Sequence, residues 1–338
     1  MFSLKSFCQI SALALITATS AQAEDVNIYS YRQPDLLKPL TDAFTAETGI
    51  NVNVAYIDKG LIERMKAEGR RSPADVVLTV DIALLAAIVD ADLTQAVASD
   101  TLAKNVPAQY RDPDNHWFGL SNRARIAYAS KERVADGELT TYEDLVDPKW
   151  RGRICTRSGK HDYNIALTAA MIAHSGEAAA KEWLAGIKEN LARKPQGNDR
   201  AQVKAIWAGE CDIAIGNTYY MGQMLSNPEQ KDWAESVRII FPEFDGHGSH
   251  VNISGVALAK HAPNPEAALK LMEFLTSPTA QEIYARANFE YPIAEGTKPS
   301  DLVASWGSFR ADEINLMEVA KHRAAALRIT EEVDFDNK

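Results

Sequence analysis

Apolar residues along the chain fall into short runs that change period between two and about 3.6, and these changes mark the elements. Val26–Tyr31 reads as a strand. The helix after it carries Leu36, Leu37, Leu40 and Phe44 on one face and stops at Gly49. Ile50–Ile57 alternates as a second strand, Leu61, Ile62 and Met65 mark a short helix, Asp75–Val80 is a third strand, and Ala83–Val89 is another helix. Strands alternating with helices predict a mainly parallel sheet covered on both faces. A second series follows: a strand through Ile154, a helix over about Asn164–His174, helical stretches at Glu182–Ala192 and Ala201–Ala208, and strands at Asp212–Gly216, Val237–Phe241 and Ile253–Lys260. The stripe Ala268, Leu271, Met272 and Leu275 after Pro265 reads as core.

Two such series predict two sheets in two lobes. Arg125–Ser130 and Gly255–Ala259 are β-like segments flanked by lobe-sized blocks, and we expect them to cross between lobes as hinge strands. The expected division is a leader at 1–23, an N-terminal lobe of 24–122 plus 250–296, and a C-terminal lobe of 123–249 plus 297–338.

The leader expectation rests on Lys5, an apolar run from Ile10 to Thr19, and Ala21-Gln22-Ala23 before Glu24. This is the layout of a cleaved secretory signal, and the run is too short and too polar for a membrane anchor. Cys8 precedes the apolar run and goes with the leader. The mature chain then carries Cys155 and Cys211 in a compartment that permits disulfides. One bridge is favoured there, with two separate buried thiols as the other reading. The formal charge is -10, and loss of Lys5 makes it one unit more negative. An acidic surface argues against nucleic acid and anionic membranes without identifying a ligand.

Candidate chemistry centres on tyrosine. Gly216-Asn217-Thr218-Tyr219-Tyr220 follows a strand and opens a helix, and Tyr163 sits in a loop of the same kind. Both places belong to the carboxyl edge of a sheet, where open α/β folds bind ligands. Phenols are normally neutral, but a strong Lewis acid deprotonates them, and Fe(III) is a hard cation that favours anionic oxygen. Without that context, adjacent tyrosines usually pack or hydrogen-bond.

The context comes from VNIYSYRQP, SPADVVLTVD, WFGLSNRARI, RSGKHDYN, NLARKPQGNDRAQVKAI, IGNTYYMG and HVNISGVALAKHAPN, which together resemble bacterial periplasmic ferric-ion-binding proteins over nearly the whole mature chain. The resemblance implies an α/β type II periplasmic-binding-protein fold and no enzymatic turnover. It also implies Fe(III) bound by Tyr163, Tyr219 and Tyr220, a synergistic carbonate or bicarbonate, and a monomer that delivers to an ABC-transporter permease with its ATPase. Some relatives supply a first-lobe His or acid. Here the corresponding loop is Tyr31-Arg32-Gln33-Pro34, which matches a three-tyrosine, carbonate-dependent subgroup.

Three phenolates neutralise Fe(III), so a carbonate adds negative charge that needs cationic donors. Arg32 and Arg125, with Gln33, are the expected anion contacts, since a guanidinium can hold two oxygens of one anion. Tyr31, Arg123 and His161 are weaker candidates, the last as a residue orienting a ligand. His247 and His250 read as a surface turn, and His116 as packed beside Trp117. A binding protein of the same fold for an organic cation or oxyanion is the nearer alternative. A hydrolase using Ser158 with His161 is the more distant one, and it lacks a GxSxG elbow.

Overall fold

The structure is a computed structural model and describes residues 25–337; the leader expectation at 1–23 lies outside them. In chain order the main elements are β1 (Asp25–Ser30), α1 (Pro34–Thr48), β2 (Asn51–Tyr56), α2 (Leu61–Glu68), β3 (Val76–Thr79), α3 (Ile82–Asp90) and β4 (Thr94–Gln95), then α4 (Asp100–Asn105), β5 (Phe118–Ser130), β6 (Ile154–Cys155) and α5 (Asp162–Asn190). They continue with α6 (Asp199–Trp207), β7 (Ile213–Asn217), α7 (Tyr219–Leu225), α8 (Lys231–Glu235), β8 (Val237–Ile240), β9 (Val251–Ala259), α9 (Pro265–Thr276), α10 (Pro278–Asn288) and β10 (Tyr291–Pro292).

Local signals account for the element ends. Pro34 occupies the first turn of α1, where a missing N–H costs nothing, and Gly49 closes the helix in the left-handed region with its N–H on the Thr45 carbonyl. Leu37, Leu40 and Phe44 are buried, each removing enough apolar surface to stabilise by about 1.5–3 kcal/mol. The two helical stretches expected at 164–174 and 182–192 are the two arms of α5, which is broken at Gly176, whose φ of 82° and ψ of 165° are not helical. Ser30 ends β1 in a tight turn: its hydroxyl donates to the Arg32 carbonyl and accepts the Arg32 N–H.

The sheet is mixed rather than mainly parallel. β1 pairs in parallel with β2 and β3, and β6 with β7, but β9 runs antiparallel to β3 and β5, and β5 antiparallel to β7 and β8. The helix–strand alternation predicted the parallel part. Strand direction is not written in the hydrophobic period, and β5 and β9 run antiparallel to their neighbours although helices intervene in the chain. The strand order β2-β1-β3-β9-β5-β7-β6 is continuous because β5 belongs to both halves. Its residues 118–124 pair with β9, and 125–130 pair with β7 and β8. One passage between halves therefore lies at Ala124–Arg125. A second precedes β9, between Ile240 and Val251, and not at Gly255–Ala259, which is held between β3, β4 and β5. A third follows β10, which pairs with β5 in the first half, whereas the C-terminal residues pack on α5.

Burial follows this plan. One apolar cluster runs from Val26, Phe44 and Leu271 through Ala124 and Tyr128 to Val203 and Cys155, so the core continues through the passage. A second cluster joins α5 to the C-terminal residues Ala326, Ile329 and Phe335. The Cys155–Cys211 bridge is formed, with Cα atoms 6.0 Å apart.

Candidate functional site

β6 and β7 are parallel neighbours, with Cys155 opposite Ala214, so their carboxyl ends emerge on the same edge. β6 leads through a short loop to the start of α5, and β7 leads directly into α7. Tyr163 and Tyr219 therefore stand at two adjacent helix starts, and their phenol oxygens lie 3.0 Å apart. Tyr220 follows, its ring 4.3 Å from that of Tyr219. His161 caps α5: Nδ1 accepts the Tyr163 N–H at 3.2 Å and the imidazole meets the Tyr163 ring edge-on at 4.6 Å. Burial and the neighbouring Arg157 push this histidine down to about 4, which keeps it a neutral acceptor.

Burial, followed by the neighbouring phenols Tyr163 and Tyr220, holds the Tyr219 hydroxyl well above its usual range. Tyr220 is pushed up to about 12, by burial and then by Tyr163. These phenols are neutral near pH 7 and ionise only if a cation compensates the charge.

The tyrosines face a cavity of about 430 Å³ whose opposite wall comes from the end of β1 and from β5: Tyr31, Arg32, Gln33 and Arg123. Arg200 and Gln223 complete the rim on the tyrosine side, and Tyr56 on the other. A second cavity of about 410 Å³ shares Tyr31, Val80 and Tyr163, and adds Asp81, His161, Asp162 and Arg323. Among the described residues no group of three or more His, Cys, Asp or Glu side chains could hold a metal ion, so the oxygen-rich corner of the cleft is phenolic.

Arg32 donates to Glu290 at 2.7 Å, to the Ser254 hydroxyl at 2.7 Å and to the Asn288 side-chain Oδ1 at 3.2 Å, while its Nε is buried without a partner. Burial disfavours its charge, but Glu290 outweighs that and the guanidinium is held above its usual value. Arg123 donates through Nη2 to the Val80 carbonyl, and its buried Nη1 is unpartnered.

Arg125 is placed differently from the expectation. It does not line the cavity: it is 2% exposed, pairs with Asp199 at 2.7 Å, and donates to Asn164 and Asn217. Its charge is already engaged beneath the tyrosines, and Arg123, two residues earlier in the other half of β5, faces the cleft instead. Arg200, Gln223 and Glu290 were not singled out from the sequence. The signal for Arg200 was its place at the start of α6, one residue after the buried Asp199; Glu290 carried none, being 258 residues from Arg32.

The remaining candidates sort as follows. Ser158 donates its hydroxyl to Asp336 at 2.5 Å, and the His161 Nδ1 is occupied by the Tyr163 N–H, so no serine–histidine pair exists. His250 is buried rather than in a surface turn, at 2% exposure, with its N–H on the Tyr142 hydroxyl. His247 is exposed and stacks on His174 at 4.4 Å. His116 bonds the Thr94 hydroxyl through Nδ1.

The family model for bacterial extracellular solute-binding proteins matches residues 71–307. The chain belongs to that family. It is 44% identical to iron uptake protein A1 of Synechocystis sp., over 98% of this chain and 93% of that protein. Among solved structures it is similar to Mannheimia haemolytica ferric iron-binding protein A in an open conformation, with 52% identity and a TM-score of 0.90, over 94% of this chain and all of that one. It is also similar to a Trichodesmium protein solved with iron and citrate ligands, with 42% identity and a TM-score of 0.89, over 92% and 99% of the two chains. The motif resemblance and the two-lobed binding-protein fold it implied both stand within this family.

Proposed function

We propose that this family member captures ferric iron in the periplasm, with Tyr163, Tyr219 and Tyr220 as phenolate ligands, and delivers it to an ABC permease with its ATPase. The observation that carries the reading is the convergence of the three phenols at one sheet edge, with Tyr163 and Tyr219 oxygens 3.0 Å apart. Two phenol oxygens at hydrogen-bond distance can both reach one trivalent cation, and each gives up its own proton to solvent when it becomes a phenolate ligand. Relatives named for iron uptake and ferric-iron binding support the same cargo. Capture involves no bond-breaking turnover, in keeping with relatives named as binding and uptake proteins.

The charge balance of the cavity supports a bound anion. Three phenolates cancel Fe(III). The walls then hold three arginines, Arg32, Arg123 and Arg200, against one carboxylate, Glu290. Two positive charges are left over, the complement of a carbonate dianion. Arg123 has a free buried donor, and Arg32 and Gln33 face the tyrosines from the other wall. In this scheme iron and anion settle on the tyrosine side, and hinge movement about the passages at 124–125, at 241–250 and after β10 brings Arg32 and Gln33 onto the anion. Tyr31, on the same wall, is a further oxygen donor within the cavity.

Ferric titration with visible absorption tests the reading, with and without bicarbonate, on the wild type and on Tyr163→Phe, Tyr219→Phe and Tyr220→Phe. Electron donation from phenolate to Fe(III) absorbs visible light, so a red to orange band is expected that strengthens with bicarbonate. Each substitution should weaken binding by more than about 100-fold, beyond the loss usual for groups that only support a ligand. A protein that stays colourless on ferric loading overturns the reading in favour of an organic cation or oxyanion. Three variants with wild-type affinity would sink the ligand assignment.

A further inference from the structure

A buried polar cluster lies beneath Tyr163, outside the cavity lining. Asp199 is fully buried and is its hub. One carboxylate oxygen accepts from Arg157 at 3.0 Å; the other accepts from Arg125 at 2.7 Å and from the backbone N–H of Asn217 at 2.9 Å. Arg125 also donates to Asn164, the residue after Tyr163, at 2.6 Å. The hub thus touches the strand end two residues before Tyr219 and, through Arg125, the helix start that carries Tyr163. Both guanidinium groups lie over the Tyr163 ring, Arg157 at 5.2 Å and Arg125 at 5.7 Å from its centroid.

The charges in this cluster do not balance. One carboxylate serves two arginines, and the Nε atoms of both arginines are buried without partners. The Arg125–Asp199 pair alone would be neutral, so Arg157 adds an uncompensated cation in a poorly solvated place, which costs stability in the iron-free protein. Placed over the Tyr163 ring, that surplus cation favours a phenolate there over a neutral phenol, whatever cancels the charge of the metal itself.

We propose that Arg157, held against Arg125 by Asp199, is a positioning and charge-compensating residue for ferric-iron binding. It fixes the Tyr163 ring and favours the phenolate that Tyr163 becomes as the metal arrives. The inference rests on the reading of Tyr163 as a ligand, and its test separates the two. Arg157→Gln removes the charge while keeping a donor for Asp199, and Arg157→Lys keeps the charge without the planar stack. Ferric iron supplied in competition with citrate as a soluble chelator gives the affinity, and the visible band gives the state of the phenolate.

Arg157→Gln should bind iron about 10–100-fold more weakly, the range for groups that support a metal ligand. Its band should move to longer wavelength, because a phenolate without a neighbouring cation gives up its electron more easily. The iron-free protein should melt no lower than wild type, and Arg157→Lys should recover most of the affinity. A glutamine variant with wild-type affinity and band position overturns the proposal. So does an affinity loss that comes with an equal loss of iron-free stability and an unmoved band, which would mark Arg157 as structural only. A wild-type protein with no ferric band sinks the underlying ligand reading, whatever the variants do.

Discussion

Glu290→Gln probes the anion wall of the cleft most directly. In the wild type one Glu290 oxygen accepts from Arg32 at 2.7 Å, and the other accepts from the hydroxyls of Ser121 and Ser254. The side chains of the pair are 10% and 2% exposed. The substitution leaves a guanidinium with no counterion in this pocket, and it puts an amide N–H₂ among groups that need acceptors. Breaking one side of a buried pair costs about 3–5 kcal/mol. At roughly 2–4 °C per kcal/mol for a large domain, Tm should fall by on the order of 10 °C.

Two further features make this outcome specific. Burial raises the Glu290 carboxyl, but Arg32 and then Arg123 outweigh it, so its pKa is below the ordinary 4.5 in the folded protein. Its contribution is therefore complete above that value and is lost as pH falls through the lower folded value. The variant should lose that part of the acid sensitivity. The freed Arg32 also finds a counterion only when an anion is bound, so ferric iron with bicarbonate should raise Tm more in the variant than in the wild type. Thermal melts followed by tryptophan fluorescence, from neutral to acid pH and with or without cargo, measure all three. A Tm within about 2 °C of wild type at neutral pH, taken with the same acid dependence, would refute the view that Glu290 is the counterion that holds Arg32.

Three other outcomes follow from the geometry. A Cβ at Gly222 would run into the Phe289 ring, so Gly222→Ala should cost about 1–3 kcal/mol in urea unfolding and weaken iron binding by shifting α7 under Tyr219 and Tyr220. The Cys155–Cys211 bridge closes a separation of 56 residues, and the Cys155→Ser/Cys211→Ser double variant should lose up to about 4 kcal/mol of unfolding free energy, with no effect if the bridge is absent in solution. Burial and then Arg125 push His250 from 6.5 down to about 3, so its contribution to stability is complete above 6.5 and is lost as pH falls through about 3. His250→Gln should flatten the stability–pH curve in that window by at most one proton, about 1.4 kcal/mol per pH unit.

What the sequence determined by itself was local. The strand-then-helix loops that present Tyr163 and Tyr219-Tyr220 were legible because a change of hydrophobic period marks where a strand ends, and a strand end is where a parallel sheet exposes side chains. The α1 boundaries were legible from Pro34 and Gly49 for equally local reasons. Tertiary structure decided how the charges are shared. Arg123 and Arg125 have the same parity in an entirely buried strand, so alternation assigns them one face. β5 changes partners between them, from β9 to β7, and one guanidinium reaches the cleft while the other is taken by Asp199. The same holds for Glu290 on Arg32 and for the two arginines on Asp199. A buried charge is compensated by whatever group lies nearest in space, and in this fold that group is tens to hundreds of residues away along the chain.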